Sequence, residues 1–385
     1  MAAIPEPKTR KLLSGELEVG EPSPWYIYDS KGRLLLKKGM TLFSQRQILK
    51  LLSLGGFVML DPDPEEESKT SQINDAMSPF QQIDEVVSSL SELFNNIVNR
   101  PVKQNEALGL KFFELSKNVI ELCEYDLDAT IGAIHLDKKH NYTVVHPLYC
   151  AIIAYVLSTS IKLSERRVIS TIAAALTSNL GMFDLQNELI NQPGRLSDKQ
   201  RLEVEKHTMR SVVLLKRIGV SSKLWTEIVL QHHEKVDGTG YPRKLKGDDF
   251  IKEARIVGLA DRYHAMVAPR DYRVGLSPTE ALKKIFKERG GEVDDHLSRI
   301  LIKKMGVYPP GSFVKLENDE VAIVTRLTEN RTKPVVKSIV TPEGRIFGTP
   351  LQRDSNNLRH RIIGLCRPVE KYNKDLAELW DYKLD

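Results

Sequence analysis

The stretch HHEKVDGTGYP, residues 232–242, decides how this 385-residue chain is interpreted. Two adjacent histidines and an acid stand directly before a turn that contains two glycines and ends in proline. A surface turn between helices explains the glycines, because glycine adopts backbone conformations that other residues avoid. Such a turn does not explain why His232, His233 and Glu234 precede it. The stretch therefore raises the question of a metal-dependent site.

Further candidate metal ligands lie on helical segments elsewhere in the chain. His146 begins an apolar helix, His207 follows a charged helical stretch, and Asp261 follows an apolar run. Helical domains build metal sites from single inward-facing imidazoles and carboxylates on several helices. From these residues alone, a metal site and a set of unrelated buried or solvated histidines are equally open interpretations.

Composition narrows the class of protein. The chain is 41% hydrophobic and 28% charged, which is typical of soluble globular proteins, and its net charge of +5 gives no reason to expect a nucleic-acid partner. Cys123, Cys150 and Cys366 lack metal or disulfide spacing and indicate thiols of a reducing cytosol. The N-terminus lacks the apolar run of a signal peptide, and the apolar segment 144–158 is too short to span a bilayer. We therefore expect a cytoplasmic protein without membrane association.

The pattern of apolar residues divides the chain into four segments. Residues 1–60 alternate like a hairpin followed by a helix and a strand, which predicts a small α+β accessory domain. Residues 61–78 are acidic, polar and interrupted by prolines, as in a linker. Residues 79–308 show helical periodicity, and residues 309–385 contain short β-rich runs and a terminal amphipathic stretch. The predicted fold class is mainly α, with a small α+β N-terminal domain and a small β-rich C-terminal subdomain.

The opening stretch and its surroundings resemble the HD-GYP family, the cyclic di-GMP phosphodiesterases of bacteria. The segments INQPGRLS (190–197), VEKH (204–207), ARIVGLADRYHAM (254–266) and RDYR (270–273) stand in the family order around HHEKVDGTGYP. The resemblance covers about residues 140–280 and implies a helical bundle of the HD type. In this family two or three iron or manganese ions activate a water molecule and clamp a phosphodiester.

The resemblance implies a role for each matching position. The implied metal ligands are His146, His207, His232, His233 and Asp261. Arg270 and Arg273 match basic residues near the substrate phosphates, a task that suits guanidinium groups. The implied GYP loop, which in the family is linked to contacts with diguanylate cyclase (GGDEF) partners, consists of Asp237, Gly238, Gly240, Tyr241 and Pro242.

The defining His-Asp…Lys motif of the family is absent. The family reads Ala-Leu-Leu-His-Asp-Ile-Gly-Lys where this chain reads ALTSNLGM, so Ser178, Asn179 and Met182 replace the histidine, the aspartate and the lysine. The resemblance implies that the aspartate bridges two metal ions, which a neutral asparagine does poorly. Met182 removes a cation that stabilises phosphate charge. His264 replaces a usual aspartate, and Tyr142 replaces a carboxylate found in some members.

These replacements lead to two functional expectations. The first is a degenerate HD-GYP protein of cyclic di-GMP signalling, which binds nucleotide or a partner with weak or no hydrolysis and holds one iron or manganese ion or none. The second is an active phosphodiesterase with a reduced site on His207, His232 and His233, since three imidazoles hold a metal in other enzymes. A scaffold that binds neither metal nor nucleotide is the remaining alternative. For residues 1–60, a regulatory or docking role and a stabilising cap are equally open.

Overall fold

A computed structural model describes most of the chain in two compact units, Met1–Met77 and Ser78–Asp385. The described residues are 9–59 except 20, 22, 30–33, 37–41, 43–44 and 55, and then 77–98, 108–269, 275–372 and 374–382. Most of the predicted linker 61–78 lies outside the described residues, so the linker stays a prediction.

The first unit is a small antiparallel sheet with one helix. Its strands are β1 (Thr9–Lys11), β2 (Ile27–Tyr28), β3 (Leu34–Leu36) and β4 (Phe57–Met59), and its helix is α1 (Gln45–Ser53). The spatial order of the strands is β1-β4-β2-β3. Ile27 pairs with Val58, and both side chains are fully buried. The predicted α+β character of this region is confirmed.

The second unit is mainly helical, as the sequence predicts. Its helices before the second sheet are α2 (Pro79–Val98), α3 (Leu108–Tyr125), α4 (Leu127–Leu136), α5 (Tyr142–Ser160), α6 (Glu165–Thr177), α7 (Phe183–Ile190), α8 (Asp198–Arg217), α9 (Lys223–Gln231), α10 (Lys252–Val267), α11 (Pro278–Glu288) and α12 (Asp295–Met305). Short 3-10 helices cover Leu180–Met182 and Gly247–Asp249.

Helix α5 lies in the core of this unit because its sequence is apolar on nearly all sides. It packs against α6 and α10. The Asn141 side chain caps its first turn by accepting a hydrogen bond from the Thr143 backbone N–H at 2.8 Å. This arrangement buries two polar side chains one turn apart, His146 and Cys150.

Two segments have the length and hydropathy of membrane spans, Tyr142–Ser160 and Glu165–Ile190. The share of each apolar window that is buried inside the protein is 83% and 67%, respectively. The core helices of a soluble protein pass the same test, so these segments are weak evidence for a membrane.

A five-stranded antiparallel sheet completes the second unit. Its strands are β5 (Phe313–Leu316), β6 (Val321–Arg326), β7 (Val335–Val340), β8 (Ile346–Asp354) and β9 (Ile362–Leu365), in the spatial order β8-β7-β6-β5-β9. A short helix, α13 (Leu376–Leu379), follows. Trp380 contacts both the sheet and the helices. Its Nε1 donates a hydrogen bond to the Thr325 carbonyl at 2.9 Å. Its ring packs on Gly132 of α4, where a Cβ would lie 2.3 Å from the ring. The β-rich strands of residues 309–385 thus belong to the same compact unit as the helices.

Candidate functional site

Among the described residues, two clusters of potential metal ligands occur, and the first lies between α5 and α10. His146 and Cys150 are four residues apart on α5, and Asp261 and His264 are three apart on α10, so each pair shares one helix face. His146 Nδ1 lies 2.7 Å from His264 Nδ1, and His146 Nε2 lies 2.9 Å from Asp261 Oδ1. We call His146, Cys150 and His264 the mixed group, since their ligand atoms all lie within 4.8 Å of one another.

The second cluster consists of His207 on α8 and of His232 and His233 at the end of α9, and we call it the imidazole group. The Nδ1 atoms of His207 and His232 contact the carbonyl oxygens of Val204 and Val229. If each Nδ1–H donates to its carbonyl, each Nε2 is left as a ligand atom. The two Nε2 atoms are 3.4 Å apart. This distance matches the ~3.3 Å between two nitrogens bound to one tetrahedral metal ion.

Burial sets the protonation state of the imidazole group. It lowers the pKa of His207 to about 3 and lowers the pKa of His232 and His233 as well. All three imidazoles are therefore neutral at neutral pH, which is the form that binds a metal ion. For Asp261, burial raises the pKa, but the hydrogen bond with His146 and the nearby histidines His233 and His232 together outweigh burial, and the net shift is downward. The site thus combines neutral imidazoles with one carboxylate anion.

The replaced family positions, Ser178 and Asn179, directly follow α6. Ser178 Oγ donates back to the Ala175 carbonyl at 3.2 Å, within its own helical turn. Asn179 is 4% exposed, and neither atom of its amide has a hydrogen-bond partner among the described residues. An amide carries no negative charge to offset two metal ions. The residues present therefore do not fit a carboxylate-bridged pair of ions, whereas the imidazole group fits a single ion.

The third residue of the opening stretch, Glu234, holds the GYP loop. It is 6% exposed, and its two oxygens accept hydrogen bonds from the backbone N–H groups of Arg243 and Leu245, at 2.7 and 2.9 Å. Gly240 is required because a Cβ there would lie 2.4 Å from the Lys235 backbone nitrogen. Glu234 is thus a loop anchor and lies outside both groups of metal-ligating residues. Its position directly before a glycine-rich turn was the available sequence signal.

The GYP loop also touches the imidazole group. The Tyr241 ring stacks on His233, with ring centroids 4.8 Å apart, and the Tyr241–Pro242 peptide bond is cis. Asp237 accepts hydrogen bonds from the backbone N–H and the hydroxyl of Thr239, at 2.9 and 2.7 Å. Gly238 has a positive φ of 81°, which favours glycine. The loop is therefore fixed by its own contacts and places an aromatic ring beside a candidate ligand.

A cleft of about 450 Å³ opens beside His232, His233 and Asp261. Four basic side chains also line it, which sequence reasoning missed: Lys235, Arg255, Arg262 and Lys284. Ion pairs connect Lys235 and Arg262 with Glu292, at 3.1 and 2.9 Å, and Arg255 with Asp294, at 3.1 Å. Lys284 has no ion pair in the described part of the chain. The predicted phosphate-binding residues Arg270 and Arg273 lie outside the described residues, so their role stays a prediction.

One other replaced family position, Tyr142, lies against the mixed group. The Tyr142 ring stacks on His146 and on His264, with centroids 4.9 and 5.8 Å apart. Met182 is half-buried between a 3-10 helix and α7. Sequence reasoning did not include Cys150, although its four-residue spacing from His146 was a usable signal.

Comparisons with known proteins agree with this architecture. Residues 135–297 match the family model of the HD domain. The cyclic di-GMP phosphodiesterase PA4108 of Pseudomonas aeruginosa is 27% identical over 264 residues, which cover 66% of this chain and 62% of the relative. The 3'3'-cGAMP-specific phosphodiesterase 3 of Vibrio cholerae is 26% identical over 212 residues, which cover 52% of this chain and 46% of the relative. The chain thus spans less than two thirds of the length of these relatives.

A solved structure shares the fold. Bd1817, an HDG"Y"P protein from Bdellovibrio bacteriovorus, aligns over 77% of this chain and 99% of its own length, with a TM-score of 0.50 and 15% sequence identity. At this identity the likeness concerns the fold alone. Residues 135–297 thus contain an HD domain, and the predicted resemblance to the HD-GYP family is confirmed.

Proposed function

We propose that this protein acts in cyclic di-GMP signalling in the bacterial cytoplasm, where it binds the nucleotide but hydrolyses it weakly or not at all. The names of the relatives, phosphodiesterases for cyclic di-GMP or 3'3'-cGAMP, support a cyclic dinucleotide as the ligand. Weak hydrolysis is expected because other residues replace the family motif.

The observation that carries this proposal is the buried amide of Asn179. Two-metal hydrolysis needs a negative charge that holds both ions close together. The two ions then stabilise the attacking and leaving oxygens. Asn179 occupies the bridging position without a charge, and the Ser178 hydroxyl is directed to its own helix. Met182 supplies no cation. Removing one preorganised electrostatic group typically costs 10²–10³ in turnover, so the combined loss is large, although such losses do not simply add.

The imidazole group supports one bound ion, which we propose to be iron or manganese. Such an ion polarises a phosphate oxygen or lowers the pKa of a bound water molecule. The protein orients the ligands: the carbonyls of Val204 and Val229 fix the rings of His207 and His232, and Tyr241 packs on His233. Burial keeps the imidazoles neutral and ready to bind.

The cleft beside the imidazole group is the proposed nucleotide site. Lys235, Arg255 and Arg262 carry positive charges that their acidic partners partly compensate. Lys284 is the cleft cation whose charge remains uncompensated among the described residues, so it is expected to interact most with a phosphate. Arg270 and Arg273 are proposed to add to this contact, by the family match alone.

The GYP loop is the proposed contact for a diguanylate cyclase (GGDEF) partner. The hydrogen bonds of Glu234 and Asp237 hold this loop in one conformation, which lowers the entropy cost of binding a protein. A purified GGDEF domain should bind the wild type more tightly than a Glu234→Gln variant. Equal affinities would argue against the loop as the contact.

A working phosphodiesterase with a single ion is the second candidate function. The convergence of His207, His232 and His233 specifically favours it, because a single ion with an open position can activate water. This candidate and the binding protein differ in one observable, the linear dinucleotide product.

The experiment is equilibrium binding and product analysis on one sample. Protein purified anaerobically and loaded with iron or manganese is incubated with cyclic di-GMP and, separately, with 3'3'-cGAMP. We expect saturable binding with intact nucleotide recovered. Lys284→Ala should weaken binding about fivefold, since an exposed charge contact contributes up to about 1 kcal/mol, and its neighbour Lys283→Ala should not.

Two results would contradict the proposal. Metal-dependent linear product that His233→Ala abolishes would make the protein a phosphodiesterase. If neither nucleotide binds saturably, both candidate functions are wrong.

A further inference from the structure

We propose that the mixed group is a second, thiolate-containing metal site that binds a zinc-type divalent ion through His146 Nδ1, Cys150 Sγ and His264 Nδ1. This site differs in its ligands from the implied iron or manganese centre. Cys150 and His264 are not among the ligands that the family resemblance implies. The inference holds whether or not the protein hydrolyses a nucleotide.

The geometry of the donor atoms supports a single ion. The Nδ1 atoms of His146 and His264 are 2.7 Å apart, and Cys150 Sγ is 3.9 Å from His146 Nδ1. All three donor atoms lie within 4.8 Å of one another. Zinc–nitrogen bonds of about 2.0 Å and a zinc–sulfur bond of about 2.3 Å require donor separations of roughly 3.3–3.6 Å. Changes of about 0.6–1.2 Å in the separations would bring the three atoms to those values.

The hydrogen bond of His146 with Asp261 orients the first ligand. With Nε2–H donating to Asp261 Oδ1 at 2.9 Å, the lone pair on Nδ1 is left free for a metal ion and lies on the side of His264 Nδ1. Cys150 Sγ lies beside the same ring, 3.9 Å from Nδ1 and 3.6 Å from Nε2. A carboxylate that holds the remote nitrogen of a metal-bound histidine is the usual supporting contact in zinc sites. Asp261 thereby acts as a positioning residue for this site.

The proposed site is buried and covered by aromatic rings. His146, Cys150 and His264 are each only 2% exposed. The Tyr142 ring stacks on both imidazoles, and the edge of Tyr149 packs on His264 with ring centroids 5.2 Å apart. Structural zinc sites carry four protein ligands, and the mixed group supplies three, so one further ligand such as a buried water molecule would complete the coordination.

The donor set selects the type of ion. A thiolate with two imidazoles favours zinc over iron or manganese, which prefer sites richer in oxygen and nitrogen. Binding replaces the proton of the Cys150 thiol with the metal ion and releases that proton to solvent, so no oxidant or reductant is required.

The test uses cobalt(II) as a spectroscopic probe in the full chain, freed of metal by a chelator. A cobalt–thiolate bond gives an intense charge-transfer band in the near ultraviolet, which imidazole ligands do not produce. We expect this band in the wild type and in a Cys123→Ala/Cys366→Ala variant, in which Cys150 is the remaining cysteine. The Cys150→Ala variant should lose the band and bind one ion fewer per chain.

Two results would overturn the inference: absence of the band in wild-type protein, or its survival in Cys150→Ala. Because the wild-type spectrum is itself decisive, a variant that fails to fold does not remove the test. Cys123→Ala serves as the matched control, since Cys123 is equally buried on another helix, α3. Hydrolysis of cyclic di-GMP would contradict the proposed function and leave the band unchanged, so the two failures are distinguishable.

Discussion

The mixed group and the imidazole group are both buried and both rich in histidine, yet they are built differently. The imidazole group takes three like donors from α8 and the end of α9, and backbone carbonyls orient two of them. The mixed group takes unlike donors from α5 and α10, and a carboxylate orients one of them. The first lies beside a cleft, and the second is covered by aromatic rings.

The difference between the two groups leads to a hypothesis about one neutral residue, Asn179. A charged residue at position 179 would give both groups a common ligand, as the family resemblance implies. Asn179 has no charge to share, so we interpret the two groups as separate sites with different metal preferences. The predictions below test that separation.

The largest expected effect is on the imidazole group. His207→Ala removes a fully buried candidate ligand. Losing a residue that only supports a ligand lowers metal affinity by up to about 100-fold, so we expect the loss of His207 itself to lower the affinity of this group for iron or manganese by more than that. Metal content after competition with a chelator measures the change. His296→Ala, at an exposed histidine of α12, should keep wild-type content. Loss of the cobalt–thiolate band along with the iron would show that the groups form one centre.

The next largest effect is expected on the zinc affinity of the mixed group. Asp261→Asn should weaken its zinc affinity about 10- to 100-fold, because His146 loses its orienting carboxylate. The imidazole group should keep its ion. Competition titrations with zinc, followed through the cobalt band, measure the change. Equal losses from both groups would identify Asp261 as a shared ligand of a single two-metal centre.

A smaller effect concerns the contact between α10 and the imidazole group. A Cβ at Gly258 would lie 2.3 Å from the His232 carbonyl oxygen. We expect Gly258→Ala to lower the free energy of unfolding by about 1–3 kcal/mol, as other overpacked sites do, and to reduce ion binding at His232. Denaturant unfolding gives the value. Gly364→Ala is the control, because a Cβ there meets nothing within 4 Å, and a wild-type result for Gly258→Ala would contradict the close contact.

The smallest effect lies in the C-terminal sheet, which serves as a reference away from both groups. Burial raises the pKa of Glu320, but hydrogen bonds from Arg353 and Ser338 lower it more, to about 2. Since this pKa is lowered by folding, its stabilising contribution is complete above about pH 5 and is lost as the pH falls towards about 2. Glu320→Gln should therefore unfold with a weaker acid dependence than the wild type. If the stability of both proteins falls equally with decreasing pH, Glu320 is not the cause of the acid dependence.

Much of the fold was predictable because periodicity is visible in a sequence. Ile83, Val86 and Leu90 recur along one face of α2, and the strands of the last sheet alternate between short turns. Helix α4 is harder to detect by itself, because LDATIGAIHL is mostly apolar and contains a glycine, so it has no strong amphipathic pattern.

The candidate ligands were also visible, and the site expected on His207, His232 and His233 matches one group, but the grouping of His146 with Cys150 and His264 was not foreseen. His146 and His264 are 118 residues apart, and only the packing of α5 on α10 brings their Nδ1 atoms together. The role of Glu234 was only weakly indicated, by its position directly before a glycine-rich turn. Its partners are backbone N–H groups, which leave no mark on the identity of the residues that carry them.

The most direct test of the central claim is to restore the lost motif. Single-turnover hydrolysis of cyclic di-GMP is compared between the wild type and the variant Ser178→His/Asn179→Asp/Met182→Lys, both loaded with iron or manganese. If the replaced residues separate the two groups, the restored variant should form linear product at least about 100-fold faster. Equal rates, whether both fast or both absent, would contradict the claim that these three positions determine what the site does.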